Sequence, residues 1–202
     1  MTSIESITVD TPDPAVADAF NAAAFGPGTP VRARPSEAQA TGFRGFTLSL
    51  VVSQPSTVDA LMRAALEAGA TELKPAKKSL WGYGGVVRSP DGTIWTVASS
   101  SKRDRGPATR EIDQFVLQLG VADVAASKRF YVEHGLEVTK SYGRKYVQFA
   151  SPTSPVTLAL YGRRALAKTA GVSPDGTGSH RIAINSAAGS FTDPDGFTWE
   201  AA

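Results

Sequence analysis

Two stretches of the sequence carry the same turn and differ at one position that could do chemistry. "VRSPDGTIWTVA", Val87 to Ala98, and "FTDPDGFTWEAA", Phe191 to Ala202, each hold a Pro-Asp-Gly turn that leads into a strand. Where the first copy has Thr96, the second has Glu200. Both residues follow their turn at the same distance, so each takes a fixed place on one face of its predicted sheet. Glu200 is therefore the residue at which the two copies could differ in chemistry.

Few other residues are suited to catalysis or metal binding. The chain has no cysteine, which excludes disulfides, thiolate zinc sites and a cysteine nucleophile. Of the two histidines, His134 falls in the last turn of a predicted helix, where a cation suits the helix dipole, and we interpret it as structural. His180 opens the predicted strand "HRIAIN". Glycine-rich phosphate loops, a serine nucleophile elbow and paired catalytic carboxylates are absent from the sequence.

One basic loop also contains aromatic residues. "KPAKKSLWGYGGVVR", Lys74 to Arg88, combines lysines with Trp81 and Tyr83 among glycines. Such a loop can close over an anionic or aromatic substrate. The alternative, which we favour, is a solvated basic loop with Trp81 packed against the sheet.

The composition is typical of a globular protein without a nucleic-acid or membrane partner. The chain has 202 residues, of which 42% are hydrophobic, and its net charge of +2 comes from charges scattered along it. The N-terminus lacks the pattern of a signal peptide, and no apolar run reaches membrane-spanning length. We therefore expect a cytoplasmic protein. The polar stretch from Ser99 to Arg110 is interpreted as a linker.

The elements that must position these residues repeat once along the chain. Each half opens with a strand, a helix capped by aspartate (Asp13 or Asp123) and a glycine that ends the helix (Gly26 or Gly135). Further predicted elements of the first half are strands at 31–34, 46–52 and 70–73 and a helix that Ser56 can cap. Those of the second half are strands at 146–149, 156–161 and 180–185 and a short helix in "RRALAKTAG". The halves are expected to be domains 1–100 and 112–202, joined by a linker at 101–111.

The sequence repeat breaks down after Ser186. When Phe46 is aligned with His180, about thirty residues of the first half, a helix, a strand and a loop, have no counterpart in the second. Either the chain lacks these elements, or the printed sequence omits a segment there. We favour an omitted segment, because loss of a helix and a strand would expose an apolar sheet face and an open edge.

The chain resembles the vicinal oxygen chelate superfamily in three features: paired βαβββ modules, Pro-Asp-Gly turns that follow Ser or Asp and precede a tryptophan, and the helix motif "VADVAASKRFY". This superfamily comprises glyoxalases, bleomycin resistance proteins and dioxygenases. The resemblance implies an α+β fold of tandem glyoxalase-like halves, in which paired modules form open, cup-shaped mixed sheets. It does not imply one function, since the superfamily includes metal lyases, isomerases, dioxygenases, thiol transferases and metal-free drug-binding proteins.

The resemblance also implies four positions for metal ligands. In the first half, Ser6, Phe46 and Thr96 fall at three of them, and the fourth has no clear equivalent, so that half is expected to bind no metal. In the second half, the positions fall on the residues Val116, Ala159, His180 and Glu200, with Gln114 on the same strand face as Val116. Two of four ligand types remain there.

Two interpretations of the second half stay open. His180 and Glu200 could bind Zn, Fe, Mn or Ni with Gln114 or water, as in a glyoxalase-like lyase or an extradiol-type dioxygenase. Alternatively they form a hydrogen-bonded pair that lines a pocket or lies on the surface, which we favour because Val116 and Ala159 cannot act as ligands.

We therefore expect a metal-free protein without a cofactor that binds a small molecule and sequesters a drug-like or hydrophobic metabolite. Whether it is an enzyme stays open, as do a homodimer and a pure interaction scaffold. The expected pocket is the cup of the second half, lined by Val116, Phe149, Ala159, Tyr161, His180 and Glu200.

Overall fold

Helix caps and runs of alternating apolar residues divide the chain into short elements. The structure, a computed structural model, describes residues 2–150 and 152–202. The elements of the first half are β1 (Ile4–Thr11), α1 (Pro14–Phe25), β2 (Val31–Pro35), β3 (Ala40–Gly42), β4 (Phe46–Val51), α2 (Pro55–Glu67), β5 (Thr71–Ser79), β6 (Gly82–Arg88) and β7 (Ile94–Ser99). Those of the second half are β8 (Gln114–Val121), α3 (Val124–Glu133), β9 (Val138–Tyr142), β10 (Tyr146–Phe149), β11 (Val156–Gly162), α4 (Arg163–Ala170), β12 (Gly176–Gly178), β13 (Ile182–Ser186), β14 (Phe191–Thr192) and β15 (Thr198–Ala201). In the described residues, every helix is too short or too polar to span a bilayer.

The predicted aspartate caps are confirmed, and one predicted cap is wrong. Asp13 accepts a hydrogen bond from the backbone N–H of Val16, and Asp123 accepts two at the start of α3. Ser56 does not cap α2; it lies inside the helix, which begins after Gln54. Its backbone N–H instead donates to the carboxylate of Asp104, 2.7 Å away, in the stretch expected to be a linker. That stretch therefore supplies the anion that the helix N-terminus favours.

Strands from both halves build each of the two large sheets. The five-stranded sheet has the order β14-β15-β13-β1-β2, and the eight-stranded sheet has the order β5-β6-β7-β4-β8-β11-β10-β9. Two antiparallel pairs, β1 with β13 and β4 with β8, join the halves, and the short strands β3 and β12 pair in the same way. The stretches 1–100 and 112–202 are thus interleaved rather than stacked side by side.

After Ser186 a short connection leads directly into β14, and the omitted segment that we favour stays a prediction. Four residues connect β13 to β14, and the backbone N–H of Ala188 donates to the hydroxyl of Ser186 at 3.2 Å. The apolar face is not left bare. Phe191 stacks on Trp199 with ring centroids 5.1 Å apart, and the ring of His134 lies 4.2 Å from that of Phe191. Helix α3 thus covers the face directly, and the edge strand β14 is too short to invite another strand.

A separate apolar cluster lies on the side of the eight-stranded sheet that faces away from the main core. We call this side the α4 face; Thr47, Ser49, Thr96, Val116, Ala159 and Tyr161 lie on it. Helix α4 crosses it and buries three apolar residues, and the cluster consists of Phe43, Val86, Ile94, Leu166, Ala167 and Ala170. Gly120 must lack a side chain here, since a Cβ would lie 3.0 Å from the Cα of Arg163.

The basic loop fixes α4 at its far end. Lys74 donates from Nζ to the backbone oxygens of Lys168 and Thr169 at 2.6 and 2.7 Å, where the helix dipole favours a cation. Burial, with Lys77 and Lys168 nearby, lowers the pKa of Lys74. Trp81 does not pack against the sheet as expected: it is 85% exposed at the tip of the β5–β6 hairpin. Trp81 lies beyond the ends of both strands, where its side chain has no sheet face to pack on.

A buried tyrosine joins α3 to the second Pro-Asp-Gly turn. Tyr131 is fully buried and donates its hydroxyl proton to the carboxylate of Asp193, which also accepts the backbone N–H groups of Asp195 and Phe197. Burial raises the pKa of both Tyr131 and Asp193. The turn that precedes Glu200 is therefore held by a buried polar contact.

Replacement of Tyr131 by Phe should lower the free energy of unfolding by about 1–3 kcal/mol, because the buried Asp193 carboxylate loses a donor. Urea unfolding measures the change. Tyr142, which is 66% exposed, provides the matched control: Tyr142→Phe should leave stability within about 0.5 kcal/mol of the parent. Equal stability of the two variants would contradict the structural role of the Tyr131–Asp193 contact.

Candidate functional site

A small cavity opens where α4 ends at the edge of the α4 face. Its volume is about 150 Å³. The residues before β4, the turn between β6 and β7 and the segment after α4 converge there, since the α4 cluster draws all three together. The side chains that line it are of three kinds. Those of Phe43, Phe46, Ile94 and Val172 are apolar, those of Arg44 and Arg88 are cationic, and those of Ser173 and Asp175 are polar or acidic. The cavity therefore combines apolar walls with two guanidinium groups and one carboxylate.

Arg44 is the buried charge of this cavity. Its side chain is 8% exposed, and its guanidinium carbon lies 5.1 Å from the centroid of the Phe46 ring. Nη2 donates to the hydroxyl of Thr93 at 2.7 Å, whereas Nη1 is buried and has no partner among the described residues. Burial lowers the pKa of Arg44 to about 10, with Asp91 acting in the opposite direction. The group is thus still cationic at neutral pH.

The carboxylate nearest to Arg44 is already engaged. Asp91 belongs to the first Pro-Asp-Gly turn and is 6% exposed at its side chain. Its oxygens accept the hydroxyl protons of Ser89 and Thr93, and one of them lies 3.9 Å from Nη2 of Arg44. This separation permits electrostatic attraction but is too long for a hydrogen bond.

His180 does not point toward Glu200. Its two ring nitrogens lie 2.5 Å from the backbone oxygen of Arg44 and 2.9 Å from that of Asp195, and its ring stacks on Phe197 at 3.8 Å. Both nitrogens therefore face carbonyl oxygens, and neither is free to bind a metal. His180 joins the β4 and β13 entry segments rather than lining a cup.

Glu200 forms an ion pair on the other sheet. Both of its carboxylate oxygens accept from Nη1 of Arg34, at 2.9 and 3.1 Å, and Nε of Arg34 donates to Asp10 at 2.9 Å. These two carboxylates raise the pKa of Arg34. Asn185, paired with Glu200 in the sheet, donates to the hydroxyls of neighbouring β1 residues. The Glu200 carboxylate is thus already paired within the protein.

The remaining predicted site residues fall into three places. Val116, Ala159 and Tyr161 lie on the α4 face, where Val116 and Ala159 are buried. Phe149 lies on the opposite face in the main core, 5.7 Å from the ring of Tyr131. Gln114 donates to the hydroxyl of Thr157 at 2.8 Å, beside a different, more open groove. The structure therefore does not bring the predicted pocket residues together.

The pairing register explains why. Leu48 pairs with Trp95 and Ile184 pairs with Trp199, so the equivalent of His180 is Arg44 rather than Phe46. The next residues, Gly45 and Arg181, both have positive φ angles, of 88° and 58°. Arg181 is strained there, since a side chain disfavours this region. The signal that could have revealed Arg44 is its place before "GFTLSLV", which matches the place of His180 before "RIAINS".

The predicted ligand positions are also divided between the sheets. Val116 and Ala159 lie in the eight-stranded sheet, while Glu200 lies in the five-stranded sheet. Across the described part of the chain, no three histidine, aspartate or glutamate side chains come close enough together to bind a metal ion. The donor set around His180 and Glu200 does not fit a divalent metal, which needs at least three protein ligands in such sites.

Comparisons with known proteins identify the fold. No family model and no curated protein matches the chain. Among solved structures, glyoxalase I from Zea mays aligns over 98% of this chain and 91% of its own, with a TM-score of 0.64 and 14% identity. A mutant of the same enzyme gives the same TM-score at 16% identity. A putative dioxygenase from Bacillus subtilis aligns over 91% of this chain and 69% of its own, with a TM-score of 0.56 and 14% identity.

The chain has a glyoxalase-like fold. The expected α+β architecture is thereby confirmed. At this level of identity the likeness concerns the fold alone, and function has to be argued from the residues.

We expect the purified protein to hold no stoichiometric zinc, iron, manganese or nickel after exhaustive dialysis, because His180 and Glu200 are both bound to other groups of the chain. Elemental analysis measures this. Near-stoichiometric metal that is lost in both His180→Ala and Glu200→Ala, but retained in His134→Ala, would contradict the expectation.

Proposed function

We propose that the protein binds a small organic molecule, without a metal, in the cavity beside Arg44. The observation that carries the proposal is the combination, in one cavity, of apolar walls from Phe43, Phe46 and Ile94 with a buried charge. Sites for small molecules are typically concave and mostly apolar, with few polar groups that orient the ligand. This supports a binding protein rather than a metal-dependent lyase or dioxygenase.

The size of the cavity limits the ligand. A volume of about 150 Å³ is enough for a benzene-sized molecule but not for a drug-sized one. The rest of the α4 face is filled, since Leu166, Ala167 and Ala170 of α4 are buried against it. The larger, drug-like ligand that the sequence analysis expects would fit in this cavity only if α4 left the sheet.

A fragment screen tests this proposal. Benzene-sized fragments are screened by ligand-observed NMR and by thermal shift, with Zn²⁺, Fe²⁺, Mn²⁺ and Ni²⁺ as separate arms. A specific fragment at one hundred times its Kd should stabilise the protein by about 2.7 kcal/mol. The metals should give no such shift.

A matched pair of variants locates the binding. Val172 lines the cavity, so Val172→Phe should fill part of it and weaken fragment binding at least about tenfold, which corresponds to about 1.4 kcal/mol. Val132 is 49% exposed on α3, and Val132→Phe should bind as the parent does. Fragments that bind both variants equally, or a stoichiometric metal, would overturn the proposed site.

A further inference from the structure

The charges around the cavity do not balance. Arg44 and Arg88 line it, and Arg181 lies close enough to Arg44 to disfavour its charge. The nearby carboxylates are Asp91 and the exposed Asp175, which accepts the hydroxyl proton of Ser173. The two lining arginines and the nearby Arg181 thus amount to three guanidinium groups against two carboxylates. A further carboxylate within electrostatic range, that of Asp10, is paired with Arg34.

The arginines also carry hydrogen-bond donors without acceptors. Nη1 of Arg44 and both Nε and Nη2 of Arg181 are buried and have no partner among the described residues. A buried donor that is left unpaired is costly, and an unpaired donor on a charged group is more so. Native proteins seldom retain such a group without a role, so the unpaired donor of Arg44, which lines the cavity, supports an anionic partner there.

We propose that the cavity selects a benzene-sized organic acid, with its carboxylate held by Arg44 and Arg88 and its apolar part against Phe43 and Ile94. This rests on the proposed function and names the ligand class of the same site. A planar guanidinium matches a carboxylate through paired hydrogen bonds, and a desolvated pair of this kind is strong. An inorganic anion such as phosphate would satisfy the charge but would leave the apolar walls without a partner.

Benzoate and benzamide test the charge, because the two molecules share a shape and differ in charge. In isothermal titration calorimetry at low ionic strength and low chloride, the Kd of benzoate should be at least about tenfold lower than that of benzamide. Benzoate should also bind at least about tenfold more tightly than inorganic phosphate.

Variants assign the preference to Arg44. Arg44→Met keeps much of the side-chain volume and should abolish the preference for benzoate over benzamide. Arg164→Met, at an exposed residue of α4, should preserve it. If Arg44→Met does not fold, the exposed Arg88→Met replaces it and should reduce the preference severalfold.

The outcomes separate this proposal from the one on which it rests. Equal affinity of benzoate and benzamide in the parent protein, or a benzoate preference that survives both Arg44→Met and Arg88→Met, overturns the organic acid. If neutral fragments still bind and Val172→Phe blocks them, the cavity remains a binding site of another ligand class. If no fragment binds and neither aromatic probe is detected, both proposals are wrong.

Discussion

The antiparallel pairing of β4 with β8 is the constraint on which the rest of the structure depends. It runs from Phe46 opposite Leu119 to Val51 opposite Gln114 and joins strands from the two halves of the chain into one eight-stranded sheet. Because β1 pairs with β13 in the same antiparallel sense, the first and last modules form the second sheet. Residues that belong to one half of the sequence repeat, such as Val116 and Glu200, therefore lie in two different sheets.

This pairing determines where charged groups can meet. The entry segments of β4 and β13 emerge together, held by the β3–β12 pair, and this places Arg44, His180 and Arg181 at the junction of the sheets. Both ring nitrogens of His180 contact backbone carbonyl oxygens there. Nη1 of Arg44 has no hydrogen-bond partner among the described residues. The buried charge of Arg44 thus lies at the junction between the halves, beside His180, one of the four positions predicted for metal ligands.

Local sequence patterns predicted much of the fold and little of the candidate site. Asp13, Asp123 and the two Pro-Asp-Gly turns act through neighbours within a few residues, so their roles are visible in the sequence. The position of His180 depends instead on the strand register, which makes it the equivalent of Arg44 and not of Phe46. It also depends on the positive φ angle of Arg181, which the sequence does not reveal because the residue is not a glycine. The burial of Arg44 is not visible in the sequence either, because it arises from α4 and the β6–β7 turn, which are distant in the chain.

A crystal structure of the protein with bound benzoate tests the central claim most directly, since it shows both the location and the contacts of the ligand. The account predicts density for the ring beside Ile94 and for the carboxylate within hydrogen-bond distance of Arg44. Benzoate on the polar face of the five-stranded sheet at Glu200, or a cavity beside Arg44 that stays empty while ligand is ordered elsewhere, would contradict it.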